Sequence, residues 1–250
     1  MLSTKVTDEL KQVLALKNDS QEVEYIHRIE SLSEQFKNIS RIKDSVSEFE
    51  IDSKSVLIKG LETLGILKPD STVVIWGCWY GSILIPYLSN RVGRVIGIDK
   101  DDEVIRFAKN KLFSDVDNVE LITDDIFSKY RDFYLKTDLI INTACEYMQP
   151  VKNWNWFKHG ALEQDIDYPS GTSDRDSSKK RVFNSPKLSS NCHFAFQSSD
   201  KLGIDGRTYS VFSIDEFKEQ LPSRAEIMFE DVSTDSYGKT FTLIGKFIST

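Results

Sequence analysis

The sequence predicts an α/β protein with a mostly parallel sheet, preceded by a helical segment. A β-branched run from Thr72 to Trp76 ends at a glycine-containing turn, and an apolar helical pattern follows it. A second strand pattern, Val95 to Asp99, closes on a carboxylate. Near the end of the chain, two strand patterns are joined by a link short enough for a hairpin. The first two observations are typical of a nucleotide-binding βαβ unit.

Composition limits the protein class. The chain has 250 residues, 40% of them hydrophobic, which is enough to bury one substantial core. Its net charge of −7 argues against nucleic acid as a partner, because phosphate binding needs a basic surface. The three cysteines form neither a zinc motif nor an even disulfide set, and no apolar run approaches the roughly 18 residues of a membrane span. We expect a cytoplasmic protein without metal or membrane partners.

Residues 1–50 are predicted to form an N-terminal helical cap. Apolar residues recur at helical spacing from Val6 to Leu14 and from Val23 to Phe36, with Ser20 as a candidate N-cap of the second helix. A third helix is expected over residues 41–49. Two roles stay open. The helices could pack on the main domain or on a second copy of the chain in a homo-oligomer, or they could cover the cofactor as a lid.

Residues 51–250 are predicted to form the main domain. Its first helix is expected to be capped by Asp52 or Ser53. The predicted strands are residues 72–76, 94–98, 118–122, 137–142, 192–197, 224–231 and 240–247. The predicted helices are residues 81–90, 102–113, 126–134 and 213–220. An insertion over residues 149–188 begins with aromatic residues and becomes polar, which suits either a substrate flap or a packing helix followed by a surface loop.

This arrangement resembles the class I S-adenosylmethionine-dependent methyltransferases over about residues 55–247. The family has a glycine-rich turn after the first strand, acidic residues after the second and third, and a short polar motif after the fourth. The matching positions are Gly77 and Gly81, Asp99, Asp124 or Asp125, and Asn142-Thr-Ala-Cys-Glu146. The resemblance implies a seven-stranded Rossmann-like methyltransferase sheet and S-adenosyl-L-methionine as the cofactor. A NAD-binding dehydrogenase opens in the same way, but would not normally close on such a hairpin.

The resemblance also implies roles at the cofactor. Asp99 is expected to accept hydrogen bonds from the ribose hydroxyls, and Asp124 or Asp125 from the adenine amino group, although each could instead cap a helix. The glycine motif departs from the family pattern, because Trp79 occupies the middle glycine and Ile75 the acidic position. Core packing is the alternative role for Trp79. The expected cofactor contacts are Gly77, Cys78, Trp79, Gly81, Asp99, Lys100, Asp124, Asp125, Ile126 and Asn142.

The segment after the fourth strand supplies the candidate catalytic residues Asn142, Glu146 and Tyr147. The carboxyl ends of parallel strands face the ligand crevice, so these side chains are expected near the reacting methyl group. Asn142 could orient a substrate nitrogen or oxygen, and Glu146 could act as a general base or pair with a substrate cation. The alternative is that Asn142 hydrogen-bonds the loop backbone and Glu146 is solvated.

The predicted function is methyl transfer to a small-molecule or protein acceptor. The sequence contains neither an Asp/Asn-Pro-Pro-aromatic motif nor a Pro-Cys nucleophile, so methylation of nucleic-acid bases is not supported. Competing functions are a non-catalytic cofactor-binding or structural protein, and transfer of the aminocarboxypropyl group of the same cofactor. The Asn-Thr-x-Cys-Glu-x-Met pattern, Asn142 to Met148, also resembles an uncharacterised methyltransferase group of phages and bacteria.

Overall fold

A seven-stranded sheet forms the centre of the computed structural model, which describes residues 2–16, 19–36, 41–126, 137–153, 192–200, 208–235 and 238–248. The strands are β1 (Thr72–Trp76), β2 (Arg94–Asp99), β3 (Val119–Thr123), β4 (Leu139–Asn142), β5 (His193–Ser199), β6 (Ala225–Asp235) and β7 (Gly238–Phe247). Their order in the sheet is β3-β2-β1-β4-β5-β7-β6. Every predicted strand is present, most within two residues of the expected ends.

The direction of the strands confirms the predicted sheet. Strands β1 to β5 pair in parallel, while β7 pairs antiparallel with both β5 and β6. The hairpin is longer than predicted, since pairing continues up to Asp235 opposite Gly238.

The helices are α1 (Thr4–Leu14), α2 (Asp19–Gln35), α3 (Glu48–Leu64), α4 (Leu84–Ser89), α5 (Asp102–Phe107) and α6 (Ile214–Glu219). The helix predicted over residues 41–49 was wrong, whereas the helix predicted after residue 52 is present as α3 but begins earlier, at Glu48. A 3-10 turn, Asp44–Val46, precedes α3, and the Ser47 hydroxyl caps α3 by accepting the Glu50 N–H. Asp52 and Ser53 lie inside α3, and Ser20 lies inside α2, so none of the three caps a helix.

Two further helix predictions need adjustment. Helix α4 begins at Leu84 rather than at residue 81, because the turn continues through residue 83, and α5 continues as a π-helical turn, Ala108–Leu112. The helix predicted over residues 126–134 lies outside the described residues after residue 126, as does the insertion after residue 153. The domain division at residue 50 stays a prediction, and α3 runs across it.

Side chains on the two faces of the sheet enter different apolar clusters. On β1, Val73 and Ile75 face one cluster, whereas Val74 and Trp76 face the other, as strand alternation requires. The first cluster also contains fully buried residues of α1, α2 and α3, such as Leu10, Ile29 and Leu57. The N-terminal helices therefore share a core with the sheet. No helix among the described residues is long and apolar enough to cross a membrane.

Gly245 on β7 provides a test of the sheet packing. A β-carbon there would collide with the Glu226 backbone carbonyl and lie 2.6 Å from Phe194 Cζ. We expect Gly245→Ala to lower the free energy of unfolding by about 1–3 kcal/mol through overpacking. Urea denaturation measures this, with Lys246→Ala as a neighbouring control expected to change stability by less than about 1 kcal/mol. Equal stability of the Gly245→Ala variant and the wild type would contradict the packing described.

Candidate functional site

A cavity of about 640 Å³ lies over the carboxyl ends of the central strands. Residues Trp76, Ile98 and Asn142 are aligned in the sheet register, so β1, β2 and β4 end at the same level. Helix α3 and the turn before it form the opposite wall. The volume lies within the range of about 300–1,000 Å³ found for small-molecule sites.

The turn after β1 brings the backbone close to the loop after β4. Gly77 has φ of 60° and Gly81 has φ of 63°, both in the left-handed region that favours glycine. A β-carbon on Gly77 would lie 2.8 Å from Met148 Cε, so the end of that flexible side chain would have to move, and the positive φ by itself disfavours a side chain here. Both glycines line the cavity.

Asp99 connects the end of β2 to the glycine turn. Its Oδ2 accepts the Trp79 N–H at 2.9 Å, and its Oδ1 accepts the Asp101 N–H at 3.0 Å. Asp101, not Asp99, caps α5, because its Oδ1 accepts the N–H groups of Glu103 and Val104. An ionised carboxylate has about four acceptor positions, so about two remain on Asp99. That number matches the two hydroxyls of a ribose.

Trp79 adopts φ of 48°, which a side chain rarely does. The backbone therefore has the left-handed conformation that glycine would adopt at this position. The hydrogen bond from the Trp79 N–H to Asp99 stabilises this conformation. The indole ring packs beside Tyr80 at 5.1 Å between ring centres, and the Arg41 guanidinium lies 5.5 Å from its centre. Trp79 also lines the cavity, so its ring both packs and contributes to the wall.

The other predicted cofactor contacts lie at the same end of the cavity. Cys78, Lys100, Asp124, Asp125 and Ile126 all line it. Burial, together with the charge of Asp99, raises the pKa of the Cys78 thiol, which therefore stays protonated. Asp124 Oδ1 accepts the Asp125 N–H at 2.8 Å, which orients this carboxylate in the turn after β3.

Asn142 is not among the residues that line the cavity. Ile140 packs in the apolar cluster that contains Trp76. Asn142 lies two residues further along β4 and therefore points to the same face of the sheet. Its Oδ1 accepts the Ala144 N–H at 2.9 Å, and its Nδ2 lies 3.2 Å from Met148 Sδ. Asn142 thus supports the loop, which is the alternative left open above. A direct role at the methyl group stays a prediction.

Glu146 and Tyr147 both line the cavity, but in different environments. Tyr147 is 44% exposed, whereas Glu146 is 4% exposed. Ser199 Oγ donates to Glu146 Oε1 at 3.3 Å, and the Glu146 carbonyl accepts the N–H groups of Thr208 and Tyr209. The Ser199 hydrogen bond orients the carboxylate, and the two backbone hydrogen bonds anchor the turn that carries it, so the Glu146 side chain is buried and not solvated. Its catalytic role remains a prediction.

Helix α3 contributes cavity residues that the sequence analysis did not identify. Glu50, Ser53 and Lys54 line the wall, and Lys54 Nζ lies 2.8 Å from Glu50 Oε2. Gln197 on β5 joins this helix to the sheet, because its Nε2 donates to the Ser53 carbonyl and to Thr242 Oγ1. The spacing of Glu50 and Lys54 was a signal for an ion pair on a helix, but it carries no information about which way that face points.

The N-terminal segment also contacts the glycine turn directly. Tyr25 donates its O–H to the Ser82 carbonyl at 2.9 Å, and the hydroxyls of Ser45 and Ser82 lie 2.7 Å apart. Within the described ranges, no group of three or more His, Cys, Asp or Glu side chains is arranged to hold a metal ion.

Comparison with solved structures identifies the fold. The N-methyltransferase NodS from Bradyrhizobium japonicum WM9, in complex with S-adenosyl-L-homocysteine, aligns with a TM-score of 0.59 at 13% identity, covering 88% of this chain and 98% of NodS. Magnesium protoporphyrin IX methyltransferase from Synechocystis PCC 6803 with bound S-adenosylmethionine aligns at 0.53 and 14% identity, covering 88% and 97%. The YcgJ protein from Bacillus subtilis aligns at 0.54 and 12% identity, covering 80% and 99%.

The fold is that of the class I methyltransferases. Identities this low show the fold alone. No family model matches the chain, and comparison with curated proteins finds no relative by sequence. The predicted Rossmann-like methyltransferase fold is therefore confirmed, while the activity must be argued from the site.

Trp79 provides a test of the turn conformation. We expect Trp79→Gly to be more stable than Trp79→Ala by about 0.5–1 kcal/mol, because relief of left-handed strain exceeds the backbone entropy that glycine loses. Both variants lose the indole ring, so its packing cancels in the comparison. Urea denaturation of the two variants measures the difference. If the alanine variant is the more stable one, residue 79 does not hold the left-handed conformation.

Proposed function

We propose that this protein is an S-adenosylmethionine-dependent methyltransferase. The observation that carries the proposal is the meeting, in one cavity, of the glycine turn, Asp99 and the aspartates after β3. These groups follow three neighbouring strands in the order β1, β2, β3, which suits an elongated nucleotide ligand. NodS and the magnesium protoporphyrin IX methyltransferase, which share the fold, were crystallised with the demethylated cofactor and with S-adenosylmethionine, respectively.

The residues present fit this cofactor. About two acceptor positions remain on Asp99 for the ribose hydroxyls, and Gly77 and Gly81 bring the backbone of the turn to the cavity wall. Asp124 or Asp125 would accept from the adenine amino group, with Ile126 packing on the ring. Trp79, at the position of the middle glycine, keeps the left-handed backbone that glycine would adopt there.

The chemistry asks little of the protein beyond alignment. When bound, the cofactor supplies an activated methyl group on a sulfonium. The chain's own residues would hold the acceptor in line, exclude water and accept a proton. Among the predicted catalytic residues, Glu146 is the buried carboxylate on the cavity wall, so we assign it the proton-accepting or cation-binding role. Tyr147, being more exposed, would contribute to the entrance.

Other parts of the proposal rest on the sequence. We infer a small-molecule or protein acceptor, a cytoplasmic location and no nucleic-acid partner, in keeping with the net charge of −7. Membership of the uncharacterised phage and bacterial group, and a homo-oligomer formed through the N-terminal helices, are further hypotheses. The two alternatives predict different fates of the cofactor. A non-catalytic protein would not convert it, whereas aminocarboxypropyl transfer would release methylthioadenosine.

Asp99→Asn tests the cofactor site. Hydrogen bonds to a charged group contribute about 1.5–3 kcal/mol, so we expect the affinity for S-adenosylhomocysteine to fall by roughly 10- to 100-fold. Isothermal titration calorimetry on wild type and variant measures the change. Asparagine retains one acceptor oxygen, which limits disturbance of the turn.

The matched control is Asp70→Asn at an exposed turn residue ahead of β1. The Asp70→Asn variant should bind S-adenosylhomocysteine with the same affinity as the wild type. Absence of binding by the wild type would overturn the proposed function, while equal affinity of wild type and Asp99→Asn would overturn the assignment of Asp99.

A further inference from the structure

The cavity divides into two halves along the strand order. Its residues from β1, β2, β3 and the turns after them carry the proposed cofactor site. We call the part of the wall formed by the ends of β4, β5 and β7 and by α3 the acceptor half. The turn before α3 lines the cavity as well, and its charged residues Arg41 and Asp44 pair with each other at 3.0 Å. The lining residues of the acceptor half are Phe49, Glu50, Ser53, Lys54, Thr143, Ala144, Glu146, Tyr147, Met148, Gln197, Ser198, Ser199 and Thr240.

The acceptor half is polar, and its described residues carry a net negative charge. Glu50 and Lys54 form an ion pair with each other at 2.8 Å and contribute no net charge. The remaining charged group of this wall is Glu146, which is buried. A carboxylate on the wall of a ligand cavity favours a ligand that is a cation or a strong donor, because opposite charges attract more strongly where water is excluded.

Ser198 provides an independent indication of a ligand. It is 1% exposed and lines the cavity, and among the described residues its Oγ has no hydrogen-bond partner. Buried hydroxyls are nearly always hydrogen-bonded in folded proteins. A polar acceptor that enters this half of the cavity would supply the missing partner.

We propose that the acceptor is a polar amine whose nitrogen binds beside Glu146. The inference rests on the proposed function and specifies its substrate class. In the reaction, an ammonium group gives its proton to the Glu146 carboxylate. The nitrogen lone pair then forms the new N–C bond with the methyl group, while the C–S bond breaks and its electron pair stays on sulfur.

Other nucleophiles fit this wall less well. A thiol or phenol would have to become an anion next to Glu146, and a carboxylate acceptor would already be one, so like-charge repulsion opposes all three. The neighbouring Cys145 illustrates the effect, because burial, and then the charge of Glu146, raises the pKa of its thiol. An amine instead passes from a cation to a neutral nucleophile, which the carboxylate favours. Ser199 acts as a positioning residue, since it donates to Glu146.

The test uses a cofactor analogue, so that it does not depend on knowing the acceptor. Sinefungin carries an ammonium group in place of the sulfonium methyl and would direct it towards the acceptor half. We expect the wild type to bind sinefungin at least tenfold more tightly than S-adenosylhomocysteine by calorimetry. In Glu146→Gln the preference should fall to within about twofold, with the affinity for S-adenosylhomocysteine unchanged. Glu219→Gln, at an exposed position on α6, should keep the preference.

The outcomes separate the two proposals. If neither compound binds the wild type, the proposed function fails and the amine inference falls with it. If S-adenosylhomocysteine binds but sinefungin has no advantage, or if Glu146→Gln keeps that advantage, only the amine inference is overturned. Retention of the preference by Glu219→Gln together with its loss in Glu146→Gln would support the amine site.

A matched set of acceptors gives a second readout. 1,3-Diaminopropane, 1,3-propanediol, 1,3-propanedithiol and malonate share a three-carbon skeleton and differ in the reacting group. With labelled cofactor, we expect methyl transfer to the diamine alone and at least a tenfold loss in Glu146→Gln. Transfer to the diol, dithiol or malonate without transfer to the diamine would overturn the inference.

Discussion

The site depends on the position of β1 between two parallel neighbours. β2 lies on one side of β1 and β4 on the other, and all three end at the same level. The chain must therefore leave β1 through a sharp turn at a point where the connections on either side diverge. Open α/β sheets bind ligands at such a point, because the diverging connections leave a crevice. The glycine turn, the Asp99 carboxylate and the loop after β4 all border this crevice.

Polar contacts connect the N-terminal helices to the crevice. Gln197 hydrogen-bonds the Ser53 backbone carbonyl and hydroxyl as well as Thr242, so one amide links α3, β5 and β7. Each of these groups is buried, and losing one partner would leave the others unsatisfied at a cost of about 1–3 kcal/mol apiece. Tyr25 and Ser45 make comparable contacts to Ser82 in the turn after β1. The helices thus build part of the cavity wall as well as the core.

The alternating pattern of the sequence predicted the sheet well, because apolar β-branched runs mark buried strands whatever surrounds them. Helix starts were less predictable. Ser47, Asp52 and Ser53 are all good capping residues, and the one that caps α3 is the one at which the backbone is extended. Most residues that line the cavity after β1, β2 and β3 were named as candidates from the sequence, because they follow directly after strands, while their contact with a cofactor stays a prediction. The α3 wall was not, since Glu50 and Lys54 are ordinary surface residues in any local pattern.

Asn142 and Glu146 illustrate the difference between what the sequence determines and what the tertiary structure determines. The sequence by itself determined that both follow the fourth strand, and that the strands, glycine turn and acidic residues occur in the order of a methyl-donor fold. Only the tertiary structure decided which of the two enters the cavity. Strand alternation turns Asn142 to the opposite side of the sheet, while the short helical turn after β4 brings Glu146 back over the edge. Local patterns specify spacing along the chain, but the side to which a residue points depends on what packs on each face.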